Sequence, residues 1–89
     1  MKEESRQEVR ERIGMRIASL RKLSGMTQEQ LAERSGLQRT HVGRIESGRY
    51  AVTLEVVQSI AEALGMTVDI IDPALQDLAP LKKLEQWQK

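Results

Sequence analysis

The sequence predicts an all-α bundle of four to five short helices followed by one short β-strand. Three observations carry that expectation. Apolar residues recur at spacings of three and four along most of the chain, the period of one helix face. Ser5, Thr27 and Thr53 stand where helix starts need a side-chain acceptor. Ser24-Gly25, Gly36, Ser47-Gly48 and Gly65 stand where helices must stop. Aromatic residues make up only 2% of the 89 residues and Phe is absent, so Leu, Ile, Val, Met and Ala must build the core. That composition suits packed helices better than a β-sandwich.

Ser5 and Glu8 form a capping box, which starts the first helix near Arg6. Val9, Ile13, Ile17 and Leu20 give it a buried stripe, and Ser24-Gly25 ends it. Met26 can pack just ahead of the next cap. Thr27 and Gln30 form a second capping box, so the second helix covers about Gln28 to Ser35 with Leu31 and Ala32 inward. Gly36 then turns the chain, a place that favours a residue tolerant of positive φ. The third helix covers about Gln38 to Glu46, its stripe continued by Leu37, Val42 and Ile45. Gln38 is a poor N-cap residue, so this start lacks a strong local signal. Thr53 opens a fourth helix with Leu54, Val57, Ile60, Ala61 and Leu64 on one face.

Met66 to Ile71 is short, β-branched and alternating, the pattern of a strand. A lone strand needs a partner for its backbone groups. The simplest arrangement pairs Thr67, Val68, Asp69, Ile70 and Ile71 with the same strand of a second copy, antiparallel across a two-fold axis. Asp72-Pro73 then reads as the start of a last helix with Leu75 and Leu78, interrupted at Pro80 and continued by Leu81, Leu84 and Trp87. Two units follow from this: residues 6–65 as a helix-turn-helix domain, and residues 66–89 as a strand and helical tail for dimerisation or partner contact.

Net charge is only +1, but its distribution is uneven. Between Ile13 and Thr53 seven cations face three anions, whereas from Leu54 onward six acids face three lysines. The excess positive charge thus sits around the second and third helices, where a phosphate backbone would want it. Cysteine is absent, which excludes disulfides and thiolate metal sites. No apolar run approaches the roughly 20 residues needed to span a bilayer, and there is no apolar signal core. The expectation is a cytoplasmic protein with no membrane partner. His41 is the only histidine, without a nucleophile motif or a phosphate loop, so neither a metal, a cofactor nor an enzyme is expected.

The run QEQLAERSGLQRTHVGRIESG resembles the helix-turn-helix of the Cro/CI (XRE-type) DNA-binding proteins, over roughly Ile13 to Met66. Leu31, Ala32, Gly36, Leu37, Val42 and Ile45 meet the family's apolar, Ala and Gly positions. Ser35 and Gln38 depart from it, where a bulkier apolar residue and a better cap are usual. The resemblance implies a lambda-repressor-like bundle whose third helix enters the major groove of double-stranded DNA. Arg39, Thr40 and Arg44 would then face base edges. Arginine can donate a bidentate pair to guanine, and threonine can offer a hydroxyl or a methyl group. Gln38 and His41 would lie at the margin. Thr27, Gln28, Ser47, Arg49 and Tyr50 would stand near phosphates, where helix N-termini favour anions. Arg21 and Glu46 occupy places where related repressors carry a buried ion pair. Gly43 costs about 1 kcal/mol of helix stability relative to Ala, and close approach to DNA or a neighbouring helix would explain it.

The function implied is a sequence-specific transcriptional regulator, a repressor that reads a palindrome as a homodimer. A second reading comes from ALGMTVDIID and the short tail, which resemble the layout of HipB- and HigA-type antitoxins. Such a protein neutralises a toxin and represses its own operon. Trp87 would either anchor that partner, since aromatic side chains are favoured at such hot spots, or pack on its own dimer.

Overall fold

In the computed structural model, which describes residues 5–72, the helix starts are made by the side chains that the sequence offers. Ser5 Oγ accepts from the Glu8 N–H at 3.1 Å, and the Glu8 carboxylate accepts from the Ser5 N–H at 3.4 Å. This box opens α1 (Arg6–Leu23). Thr27 Oγ1 accepts from the Gln30 N–H at 3.1 Å while Gln30 Oε1 accepts from the Thr27 N–H at 2.9 Å, opening α2 (Gln28–Ser35). Thr53 caps α4 (Leu54–Ala63) by accepting from the Val56 N–H at 3.2 Å. Helix α3 (Arg39–Glu46) begins without a side-chain cap, because the Gln38 side chain makes no such bond.

Helix ends are equally local. Gly36 takes φ +74°, the left-handed region that lets α2 stop and α3 begin three residues later. After α3 the Gly48 N–H donates to the Ile45 carbonyl at 3.1 Å and the Arg49 N–H to the Arg44 carbonyl at 2.9 Å. The same pair of bonds closes α1 and α4.

Burial follows the periodic stripes. Ile17 and Leu20 of α1, Leu31 and Ala32 of α2, Val42 and Ile45 of α3, and Val57, Ile60, Ala61 and Leu64 at α4 and its cap form one core. Helix α3 packs against both α1 and α2, and α4 packs against α2. Ile13, Met26 and Leu37 lie at the core's edge. Leu54 departs from the expected stripe: it sits in the first turn of α4 and is 48% exposed.

The expected strand is a helix. Val68–Ile71 forms one helical turn, α5, preceded by Thr67 and ended by Asp72. Strand pairing by Thr67, Val68, Asp69, Ile70 and Ile71 is therefore incorrect for this chain. The backbone bonds that a lone strand would leave unmade are closed locally, from the Ile70 N–H to the Thr67 carbonyl and from the Asp72 N–H to the Val68 carbonyl, both at 3.1 Å. Burial also has the helical period. Val68 and Ile71, three apart, pack on the core, while Ile70 is 40% exposed. Helix α5 thereby closes the bundle between α4 and α1. Arg12 and Arg16 of α1 fasten it, by a 2.7 Å ion pair with the buried Asp72 and a 3.0 Å bond from Arg16 Nε to the Ile70 carbonyl.

The helix expected from Pro73 and the anchor residue Trp87 lie outside the described residues. Among the described residues, no helix is long and apolar enough to cross a membrane.

Candidate nucleic-acid interface

The base of the interface is a buried ion pair between α1 and α3. Arg21 Nε donates to Glu46 Oε2 at 2.7 Å and its second terminal nitrogen donates to Oε1 at 3.0 Å. The two side chains are 10% and 6% exposed. A third N–H of Arg21 donates to the Met26 carbonyl at 2.8 Å, so the same guanidinium holds the loop between α1 and α2. The hydrogen bond to Glu46 pushes the Arg21 pKa above its ordinary value, outweighing the opposing effect of burial. Arg21 and Glu46 thus fix where α3 ends.

Gln28 belongs to this network. Its amide donates to Glu46 Oε1 at 3.1 Å, which joins the first residue of α2 to the last of α3. Of the groups expected near phosphate, the Gln28 side chain is therefore already engaged, and the N–H groups at the start of α2 remain to face an anion. The link between Gln28 and Glu46 gave no signal in the sequence, because it joins residues 18 positions apart.

On this base α3 presents a polar outer face. Gln38, Arg39, Thr40, Arg44 and Ser47 are exposed, and His41 is half-buried. Among the described residues no carboxylate pairs with Arg39 or Arg44, so both keep their charge for an outside acceptor. Gly43 lies between them on the same face. A Cβ there would meet nothing nearer than the Gln28 side chain at 3.7 Å, so contact with a neighbouring helix does not require this glycine.

Thr27 spends its hydroxyl as the cap of α2 and is exposed. Ser47 donates to the Arg44 carbonyl at 3.1 Å. Arg49 and Tyr50 are exposed in the loop after α3, and the Arg44 guanidinium donates to the Tyr50 hydroxyl at 2.5 Å. Arg39, Thr40 and Arg44 therefore share one surface, with the α2 start on one side and the Ser47–Tyr50 loop on the other.

Two further close contacts set the frame, and sequence reasoning missed both. Gly14 of α1 lies directly against the backbone of Ile45 and Glu46. Gln7 of α1 donates to the Gly48 carbonyl at 3.3 Å. Helix α1 thus supports α3 and the loop beyond it.

Two helices joined through a left-handed glycine, the second carrying an outward cationic row, define a helix-turn-helix DNA-binding module. The chain belongs to the helix-turn-helix family HTH_3, of the Cro/CI type, whose model matches residues 17–71. Its helix-turn-helix is the DNA-binding domain of a transcriptional regulator. The immunity repressor protein of Bacillus phage phi105 is 41% identical over 59 residues, 66% of this chain and 41% of that protein, so the chain spans about two fifths of that relative's length. Control protein C.SmaI of Serratia marcescens is 38% identical over 61 residues, 68% of this chain and 73% of that protein. The crystal structure of the restriction-modification controller protein C.AhdI from Aeromonas hydrophila superposes with a TM-score of 0.70 at 35% identity, covering 71% of this chain and 96% of that one.

Proposed function

We propose that the protein is a cytoplasmic repressor that binds a palindromic operator as a homodimer, with α3 of each copy in the major groove. The observation that carries this reading is the unpaired cationic face of α3, held from behind by the Arg21–Glu46 pair. Arg39, Thr40 and Arg44 read base edges. Gln38 and His41 lie at the margin of the contact. The α2 N-terminus, from Thr27 and Gln28, and the loop residues Ser47 and Arg49 grip phosphates, which fixes register without reading sequence. The relative named an immunity repressor supports this sign, and the one named a control protein supports a regulatory role.

Selection of bound duplexes from a random library tests the reading directly. A palindrome with half-site centres about 34 Å apart, one DNA turn, is expected. A single asymmetric half-site would overturn the dimer. Arg39→Ala should weaken binding to the selected duplex by roughly a hundredfold or more, the loss of one bidentate base contact in each half-site. If that variant binds as tightly as wild type at matched salt, α3 does not dock as described.

The second copy is best seated on the α1–α5 face rather than on a strand. Met15 is 67% exposed there and Ile70 40%. Along α1 the acids Glu8 and Glu11 precede Arg12 and Arg16 around one shallow groove. A two-fold antiparallel arrangement sets Glu8 and Glu11 of one copy against Arg16 of the other, with Met15 between them. Met15→Glu should weaken self-association roughly tenfold or more, as an unpaired charge at an interface does. Sedimentation equilibrium measures this, and a variant that dimerises like wild type would place the second copy elsewhere.

A further inference from the structure

We propose that Tyr50 is a positioning residue of the DNA interface, one that acts through Arg44 rather than by gripping DNA itself. The proposal rests on the reading that the outer face of α3 binds DNA. Arg44 is long and exposed, yet both its backbone and its guanidinium are held. Its carbonyl accepts from the Arg49 N–H at 2.9 Å, and its guanidinium donates to the Tyr50 hydroxyl at 2.5 Å while lying 5.2 Å from the centre of the Tyr50 ring. The ring is itself steadied by His41, one helical turn before Arg44, whose imidazole meets it edge-on at 5.5 Å and 71°.

The chemistry of this clamp matters. An arginine restrained by a carboxylate has its charge answered within the protein. Tyr50 is neutral, so it orients the guanidinium and leaves both its charge and most of its five N–H donors for another acceptor. A planar donor set fixed before binding loses less freedom on contact and tolerates fewer base geometries. Tyr50 thus makes Arg44 a more selective reader, and it ties the loop after α3 to the reading face. The tyrosine is 40% exposed and outside the core, so its hydroxyl can be removed without disturbing the bundle.

A double-mutant cycle on the duplex selected with the wild-type chain tests the idea. Tyr50→Phe keeps the ring and removes one hydrogen bond. It should lower affinity roughly five- to tenfold and relax the base preference at one position per half-site. In an Arg44→Ala background the same change should have no effect. An equal loss in both backgrounds would mean that Tyr50 touches DNA directly, and no loss in the wild-type background would mean that the clamp does not matter; either result overturns the proposal. If Arg44→Ala and Arg39→Ala both bind as wild type, the interface reading itself fails and the proposal falls with it. Thermal unfolding of Tyr50→Phe should match wild type, which separates a binding effect from a folding one.

Discussion

Replacing Glu46 with alanine is expected to destabilise the protein by about 3–5 kcal/mol, the range for removing one member of a buried ion pair. Glu46 accepts three hydrogen bonds, two from Arg21 and one from Gln28, and its side chain is 6% exposed. Alanine leaves the Arg21 guanidinium in place, almost out of water, with only the Met26 carbonyl to meet it. The cost is mostly that stranded charge, not the lost attraction. For a domain of this size each kcal/mol lowers Tm by about 4–8 °C, so the fall should exceed roughly 10 °C. Pairing the change with Arg21→Met should recover much of the loss, because no charge is then left buried. If Glu46→Ala melts within a few degrees of wild type, the pair is solvated and does not hold α3.

The pH dependence of this contribution follows from its sign. Arg21 has its pKa raised in the folded protein, so the stability it lends is fully present below the already strongly alkaline unfolded value and is lost only as pH climbs through the still higher folded value. Arg21 should therefore contribute equally throughout pH 5 to 9. A thermal scan across that range on wild type and on the Arg21→Met/Glu46→Ala double variant, which strands no buried carboxylate, should give parallel curves.

What the sequence disclosed was set by the range of the interaction. Thr27 with Gln30, and Ser5 with Glu8, are bonds between residues three apart, so residue types alone identify them. Gly36 announces its turn because few other residues adopt its backbone conformation. Arg39, Thr40 and Arg44 fall on one surface as soon as the helical period is applied. The misread segment, Val68–Ile71, is four residues long, and a run that short fits a strand or a buried helical turn equally well. Which of Ile70 and Ile71 is buried decides it, and that depends on where α1 and α4 stand. Arg12 and Asp72 are 60 positions apart, and Tyr50 meets Arg44 only after the loop has turned back. Such contacts are made by the assembled bundle and leave no local pattern.

Gly14 is the clearest contact of that kind, and Gly14→Ala should carry the second-largest loss of stability. A Cβ at this position would lie 2.2 Å from the Ile45 carbonyl oxygen and 2.8 Å from that of Glu46. Both are backbone atoms at the end of α3, so no rotamer can move aside. Either α1 or α3 must shift, and overpacking of this sort costs about 1–3 kcal/mol or more. Better helix propensity returns up to about 1 kcal/mol of that. Gly43→Ala is the matched control, since its Cβ meets only the Gln28 side chain at 3.7 Å and receives the same propensity gain. Urea unfolding should therefore show the midpoint falling for Gly14→Ala and holding or rising for Gly43→Ala, with slopes unchanged. Equal midpoints would mean that α1 and α3 are further apart than described. The shift forced at Gly14 also acts on the Arg21–Glu46 pair beside it, so Gly14→Ala and Glu46→Ala should combine to less than their sum. DNA affinity should fall with Gly14→Ala even at temperatures where the variant is fully folded. The reading helix would then be intact but carried to a different place by the helix behind it.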